Sequence, residues 1–261
     1  MPTVAGIYYY AYEPENSTRP PVIMIHGAGG SHLYWPPQIR RLAGNCIIAV
    51  DLPGHGKSEG VGRQIIDDYA IDIIEFMKAL KLRSAVMVGH SMGSAIAMTA
   101  ALRVPKRVSG LVLIGSGAKL RVAPAVLEAS ANPYAFHVAV DLVIQYSFGP
   151  TADSRLKELA AQRLLEIRPA VLYGDFLACD SFNVMNQLKK LNTPTLILCG
   201  EEDRMTPLKY SEYLRDEISG AHLETSPGAG HMVMLEEPAK VADTLGRFLN
   251  TFNKMRDSNP K

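Results

Sequence analysis

Cysteine is scarce in this 261-residue chain, with three in all. That is an odd number, and no pair or cluster stands at a spacing that suggests a disulfide framework or a metal site. Cys46 and Cys199 lie inside apolar, strand-like runs and read as inert core thiols, whereas Cys179 sits in a more mixed segment. Charge of one sign is also lacking. The 27 basic and 26 acidic residues leave a formal net charge of +1. No basic run carries interleaved aromatics, so nucleic acid is not an expected partner. Met1-Pro2-Thr3-Val4 has none of the basic-then-apolar character of a secretory leader. A long uncharged stretch, Ala85 to Leu102, has membrane length, but Gly89, His90, Ser91, Gly93 and Ser94 interrupt it. A buried strand joined to a buried helix accounts for it better. Unpaired thiols, no leader and no span make the reduced cytoplasm the default location, with no membrane partner. Oligomeric state is not legible.

What the chain does have is apolar material, 47% of it, enough for one large domain or two small ones. Short apolar runs alternate with longer amphipathic ones, the rhythm of an α/β fold with a mostly parallel central sheet flanked by helices. Strands are expected at Ala5–Tyr12, Val22–Ile25, Cys46–Val50, Ala85–Val88, Val108–Ile114, Thr195–Cys199 and Ala221–Thr225. The first reads as an antiparallel edge strand or part of a hairpin. Helices are expected at Trp35–Leu42, Ile65–Leu80, Ser91–Arg103, Leu208–Ile218 and Pro238–Asn250. In Ile65–Leu80, Ile66, Ala70, Ile73, Ile74, Met77 and Leu80 recur at helical spacing with acids between them. The alternation breaks over residues 119–190, which carry helix-prone segments at Val122–Ala131, Phe136–Tyr146 and Ser154–Glu166 and no convincing strand. That span is too long for a loop. It reads as a helical cap inserted into a core formed by residues 1–118 and 191–261. Met255 to Lys261 reads as a frayed tail.

Gly89-His90-Ser91-Met92-Gly93 is the most informative stretch. It stands between a strand-like run and a small-residue helix, the context in which Gly-x-Ser-x-Gly becomes a nucleophile elbow. A serine hydroxyl is a poor nucleophile until a base takes its proton. His231 is the best base, because it follows Pro227-Gly228-Ala229-Gly230 on a loop between the last strand and the last helix. An acid should orient that imidazole, and Asp203 comes directly after the strand Thr195–Cys199. Its neighbours Glu201 and Glu202 could substitute in a different loop geometry. Loops at the carboxyl ends of parallel strands converge on one crevice, and all three residues belong to such loops.

These residues, together with His26-Gly27-Ala28-Gly29-Gly30, Asp51-Leu52-Pro53-Gly54-His55-Gly56-Lys57-Ser58 and Gly228-Ala229-Gly230-His231, make the chain resemble the α/β-hydrolase superfamily over essentially its whole length. The resemblance implies Ser91 as nucleophile, His231 as general base and then acid, and Asp203 as orienting carboxylate. It implies an oxyanion hole of the Met92 and Ala28 backbone N–H groups, with Gly29 the less favoured second donor. Members with aspartate at the elbow, the haloalkane dehalogenases and epoxide hydrolases, are excluded by Ser91. Carbon–carbon bond hydrolases of this family often carry Asn where this chain has His90. Many relatives have glycine where this chain has Ser94, a change expected to matter little.

Trp35 and the insert aromatics Tyr134, Phe136, Tyr146 and Phe148 read either as walls of an acyl pocket or as ordinary core. Met205, Met232 and Met234 flank the proposed triad positions and are similarly open to both readings. Asp51 and His55 read as structural, and His26 as a brace for the oxyanion loop. His32, His137 and His222 carry no motif, and no histidine–acid cluster has metal spacing. The expectation is therefore a serine esterase without cofactor or metal, cleaving small, largely apolar carboxylic esters. A lactone, a thioester, a carbon–carbon bond or acyl transfer through the same triad is the alternative, as is a small-ligand receptor of this fold.

Overall fold

The computed structural model describes residues 2–14 and 19–257. Among them, eight strands form one sheet in the order β1-β2-β4-β3-β5-β6-β7-β8. These are β1 (Thr3–Val4), β2 (Ile7–Tyr12), β3 (Val22–Ile25), β4 (Ile47–Val50), β5 (Ala85–His90), β6 (Val108–Ile114), β7 (Thr195–Gly200) and β8 (His222–Ser226). β1 and β2 pair antiparallel, as do β2 and β4, and all other neighbours run parallel. Every residue of β3, β4, β5 and β7 is buried, as continuous Val/Ile/Leu runs require when both sheet faces are covered.

The expected first strand begins two residues later, at Ile7, and is one arm of a hairpin whose other arm is Thr3–Val4. Ala5 and Gly6 both have positive φ (50° and 77°), which turns the chain in a tight hairpin whose twist suits the flanking strands.

The helices are α1 (Pro37–Arg40), α2 (Ile66–Ala79), α3 (Met92–Arg103), α4 (Pro124–Ala131), α5 (Phe136–Ser147), α6 (Ser154–Leu165), α7 (Pro169–Ser181), α8 (Leu208–Glu217), α9 (Val233–Glu236) and α10 (Pro238–Asp257). Alternate strand residues feed two cores. Ile23, Ile25, Met87 and Leu113 join α2, α3 and Leu214 of α8 on one face. Val22, Met24, Val88 and Val112 join Ile39 of α1 and Leu245 and Leu249 of α10 on the other. A helix expected over Trp35–Leu42 is instead a short 3-10 turn at His32–Tyr34 followed by α1. Pro37 cannot donate to a preceding turn, so the helix can only start there. α10 carries the chain to Asp257, so Met255–Asp257 are helical rather than frayed, and the remaining residues of that expected tail lie outside the described ones.

Four helices, α4 to α7, stand between β6 and β7 and pack on one another through Val126, Phe136, Val140, Leu164, Leu172 and Phe176. α7 has no counterpart among the expected helices. It has no polar face to betray it: Leu172 and Phe176 enter the insert's core while Ala178 and Cys179 enter the core of the sheet. Among the described residues, no helix is long and apolar enough to cross a membrane.

Phe76 of α2 is fully buried and meets the Tyr9 ring edge-on, centroids 5.3 Å apart. Phe76→Ala is expected to cost about 3–5 kcal/mol in chemical denaturation. A loss below about 1 kcal/mol would show that this face of the sheet closes over the gap.

Candidate active site

Ser91 joins β5 to α3 with φ +53° and ψ −118°, a conformation that non-glycine residues rarely adopt. Its N–H donates to the Ile114 carbonyl at 2.8 Å, tying the turn to the end of β6. The glycines on either side are demanded by contact. A Cβ on Gly89 would stand 2.2 Å from the Gly93 carbonyl oxygen, and one on Gly93 would stand 2.1 Å from that of Ile25. Ser94 has a task that its sequence position did not suggest. Its hydroxyl donates to Gly89 O at 2.7 Å and accepts from Ile114 N at 3.2 Å, bracing the underside of the turn.

Asp203 and His231 form a buried pair, with His231 Nδ1 2.8 Å from Asp203 Oδ2. A carboxylate facing Nδ1 assigns the proton to that nitrogen and leaves Nε2 as the basic one. Oδ2 also accepts from the Thr206 hydroxyl at 2.8 Å, and Oδ1 accepts from the N–H groups of Met205 and Thr206 at 2.9 and 2.8 Å. Burial by itself pushes the Asp203 carboxyl up; the neighbouring His231 and these hydrogen bonds outweigh it and hold the carboxyl below its ordinary range. Glu201 and Glu202 are exposed, and Glu201 instead accepts from Thr225 Oγ1. Among the described residues, the imidazole's side-chain hydrogen bonds run to Asp203 and Thr206, and none reaches Ser91 Oγ. Such bonds are often long before substrate binds and tighten in the Michaelis complex.

Ser91 and His231 line one cavity of about 190 Å³, together with Gly27, Ala28, His90 and a mostly apolar wall. Of the residues read as pocket walls, Tyr146, Phe148, Met205 and Met232 line it. Trp35, Tyr134 and Phe136 do not. Trp35 is fully buried in the core beneath the sheet, Phe136 packs inside the insert, and Tyr134 stands 91% exposed on a surface turn. Met234 is core as well. Tyr34, Val126, Leu164 and Phe176 line the cavity without having been singled out, because nothing in their spacing distinguishes a cavity wall from core.

The loop after β3 supplies the remaining groups. Gly30 N–H donates to Gly27 O at 3.1 Å and Gly29 N–H donates to Asp175 Oδ2 at 2.8 Å. The Ala28 N–H has no partner among the described residues, and Met92 opens α3, where backbone N–H groups are unpaired by construction. His26 donates from Nδ1 to Gly27 O and accepts at Nε2 from Leu52 N–H. It is therefore neutral, and burial, with His55 nearby, lowers its pKa to about 4. Asp51 accepts from His32 N–H, His32 Nδ1 and Lys57 N–H, so the turn at 51–58 closes around a satisfied carboxylate. Among the described residues no trio of His, Cys, Asp or Glu is grouped to hold a metal ion.

An open, mostly parallel sheet with a strained serine at a strand–helix turn, and an acid–imidazole pair on later loops, defines a hydrolase of the α/β class. The chain belongs to the Alpha/beta hydrolase family, whose sequence model matches residues 22–244. It is 30% identical over 266 residues to the uncharacterized hydrolase YugF of Bacillus subtilis, covering 95% of this chain and 96% of that one. Among solved structures it is similar to a thermophilic esterase, with a TM-score of 0.81, 32% identity, and 94% and 98% of the two chains covered. It is also similar to an N-acyl homoserine lactone degrading enzyme, with a TM-score of 0.80, 27% identity, and 93% and 96% covered.

His90 donates from Nε2 to the His231 carbonyl at 3.0 Å, and its Nδ1 is buried without a partner. Burial, with His231 beside it, lowers its pKa from 6.5 to about 3. The folded chain thus holds His90 neutral where the unfolded chain takes a proton. Its contribution to stability is complete above pH 6.5 and is lost as the pH falls toward about 3. Wild-type stability should therefore fall more steeply than that of His90→Gln between pH 6 and 4, by up to about 1.4 kcal/mol per pH unit. Denaturation curves of equal acid slope would remove His90 as the source.

Proposed function

We propose that the protein is a carboxylic-ester hydrolase acting through an acyl-enzyme on Ser91. One observation carries the reading: the strained Ser91 and the Asp203-paired His231 are walls of the same largely apolar cavity. His231 Nε2 takes the Ser91 proton as Oγ bonds to the ester carbonyl carbon, and the carbonyl electron pair moves onto oxygen. The N–H groups of Ala28 and Met92 stabilise that oxyanion. Gly29 is the poorer candidate because its N–H is already given to Asp175. The intermediate collapses, the carbon–oxygen bond to the alcohol breaks, and the alcohol leaves with the proton held on His231. Water then attacks the acyl-enzyme by the same route and releases the acid. Asp203 keeps Nδ1 protonated and stabilises the imidazolium in both halves.

In this reading residues 119–190 act as a cap on a core of residues 1–118 and 191–261. Val126, Val143, Ile144, Leu164 and Phe176 of the insert give the cavity its apolar wall, which suits a small, uncharged acyl group. The free thiols of Cys46, Cys179 and Cys199 suit a reducing, cytoplasmic setting. A lactone is the second substrate class, favoured by the similarity to a lactone-degrading enzyme and requiring no change of machinery.

A panel of p-nitrophenyl esters of graded acyl length, run beside acyl lactones, tests the reading. Ser91→Ala should lose about 10³-fold or more in turnover while remaining folded. Retained turnover would remove Ser91 from the reaction. Asp203→Asn should lose about 10²-fold or more, because the wrong imidazole tautomer is then favoured. Near-normal rates in that variant would take the orienting role away from Asp203.

A further inference from the structure

Asp175 is the one carboxylate of α7 that is fully buried. It stands 120 residues from His55 and 146 from Gly29 in the chain, yet it gathers donors from both. Oδ2 accepts from Gly29 N–H at 2.8 Å and from His55 Nε2 at 2.7 Å. Oδ1 accepts from the Tyr69 hydroxyl at 2.6 Å, and that hydroxyl accepts in turn from Arg63 N–H at 2.9 Å. His55 Nδ1 lies 3.1 Å from Pro53 O, so both of its ring nitrogens face acceptors and both carry protons. Burial would lower the His55 pKa, but the adjacent Asp175 charge and hydrogen bond overcome it, and the net shift is upward. A buried carboxylate is thus balanced by a buried imidazolium.

The loop that Asp175 holds is the one that supplies Ala28. Gly29 has φ +64°, and a Cβ there would stand 2.4 Å from Leu164 Cδ1 and 2.9 Å from Leu172 Cδ1. The insert therefore presses directly on the oxyanion loop from α6 and α7, and Asp175 is its polar anchor. We propose that Asp175 is a positioning residue for catalysis: by fixing Gly29 N–H it sets the peptide before it, so that the Ala28 N–H stays free and aimed at the substrate oxygen. The inference rests on the serine-hydrolase reading above.

A carboxylate that merely stabilised the fold would, when removed, lower the melting temperature and leave turnover per folded molecule unchanged. A positioning role moves other quantities. A donor misplaced by about 1 Å can cost 10²-fold in rate. For Asp175→Ala, which removes the acceptor from all three donors, kcat should fall about 10²-fold with KM changed less than about threefold. The affinity for an alkylboronic acid, which forms a tetrahedral adduct on the serine, should weaken in proportion to kcat. Asp175→Asn keeps one amide oxygen for Gly29 N–H and should recover to within about 10-fold of wild type. If the alanine variant does not fold, the asparagine variant is read. If neither folds, Tyr69→Phe, which frees Oδ1, should lower kcat and boronate affinity together by a few fold. Folded variants with wild-type kcat and boronate affinity overturn the proposal. Ser91→Ala separates the two claims: if it is inactive while the Asp175 variants are normal, only the positioning role falls, and if it retains turnover, the serine reading itself falls.

Discussion

The structure depends on a single strained turn. Ser91 occupies a backbone conformation that costs about 1–3 kcal/mol and persists only where its surroundings over-determine it. Those surroundings are visible. The Ser91 N–H is held by Ile114 of the neighbouring strand, Ser94 ties the first turn of α3 back to Gly89, and the carbonyls of Gly93 and Ile25 occupy the space where side chains would otherwise stand. Three parallel strands, β3, β5 and β6, therefore have to be in register before the serine can be exposed at all. The sheet fixes the angle of one side chain, and the loops leaving its carboxyl edge supply everything that side chain would need.

Around that turn the fold sorts buried histidines by what faces them. His26 and His90 meet backbone groups, one ring nitrogen each having a carbonyl to donate to, and burial keeps both neutral. His55 meets a carboxylate on one nitrogen and a carbonyl on the other, and the charge of Asp175 overrides the same burial. His231 has Asp203 on Nδ1 and a cavity beside it. Chemically identical rings at similar depth thus hold different protonation states because of the acceptors placed against them. Among these four, the ring that lines the cavity while paired with a carboxylate is His231, which is why the proposed reading gives it the role of base.

Much of this was legible from the order of residues. β3 and β6 have the bounds that their apolar runs suggest, and the antiparallel start, the parallel remainder and the helical span before Thr195 follow from the change of period. Ser91, Asp203 and His231 could be picked out because a strand end or a glycine-rich turn marks each of them. What was not legible shares one cause. Trp35, Tyr134 and Phe136 are aromatics near the right elements, but whether an aromatic faces a cavity, a core or water depends on how its turn or helix is rotated in the packed fold, which composition does not encode. Tyr34 and Phe176 were missed for the same reason. Asp175 was hidden more deeply, since its three donors come from segments that meet only when the insert docks.

That docking gives α7 two duties at once. Phe176 and Cys179 line the cavity, while Asp175, beside Phe176 in the chain, bonds the loop that carries Ala28. The helix is buried on both sides, so it cannot shift toward one without shifting from the other: close-packed interiors transmit displacement rather than absorb it. On the reading proposed above, an acyl group that pressed on Phe176 would press on the anchor of the oxyanion loop as well. In that reading the insert would be more than a lid over a finished site. On the proposed ester-hydrolase reading, one rigid element would set both acyl recognition and oxyanion geometry, and a substrate that seats badly against the apolar wall would lose rate as well as affinity.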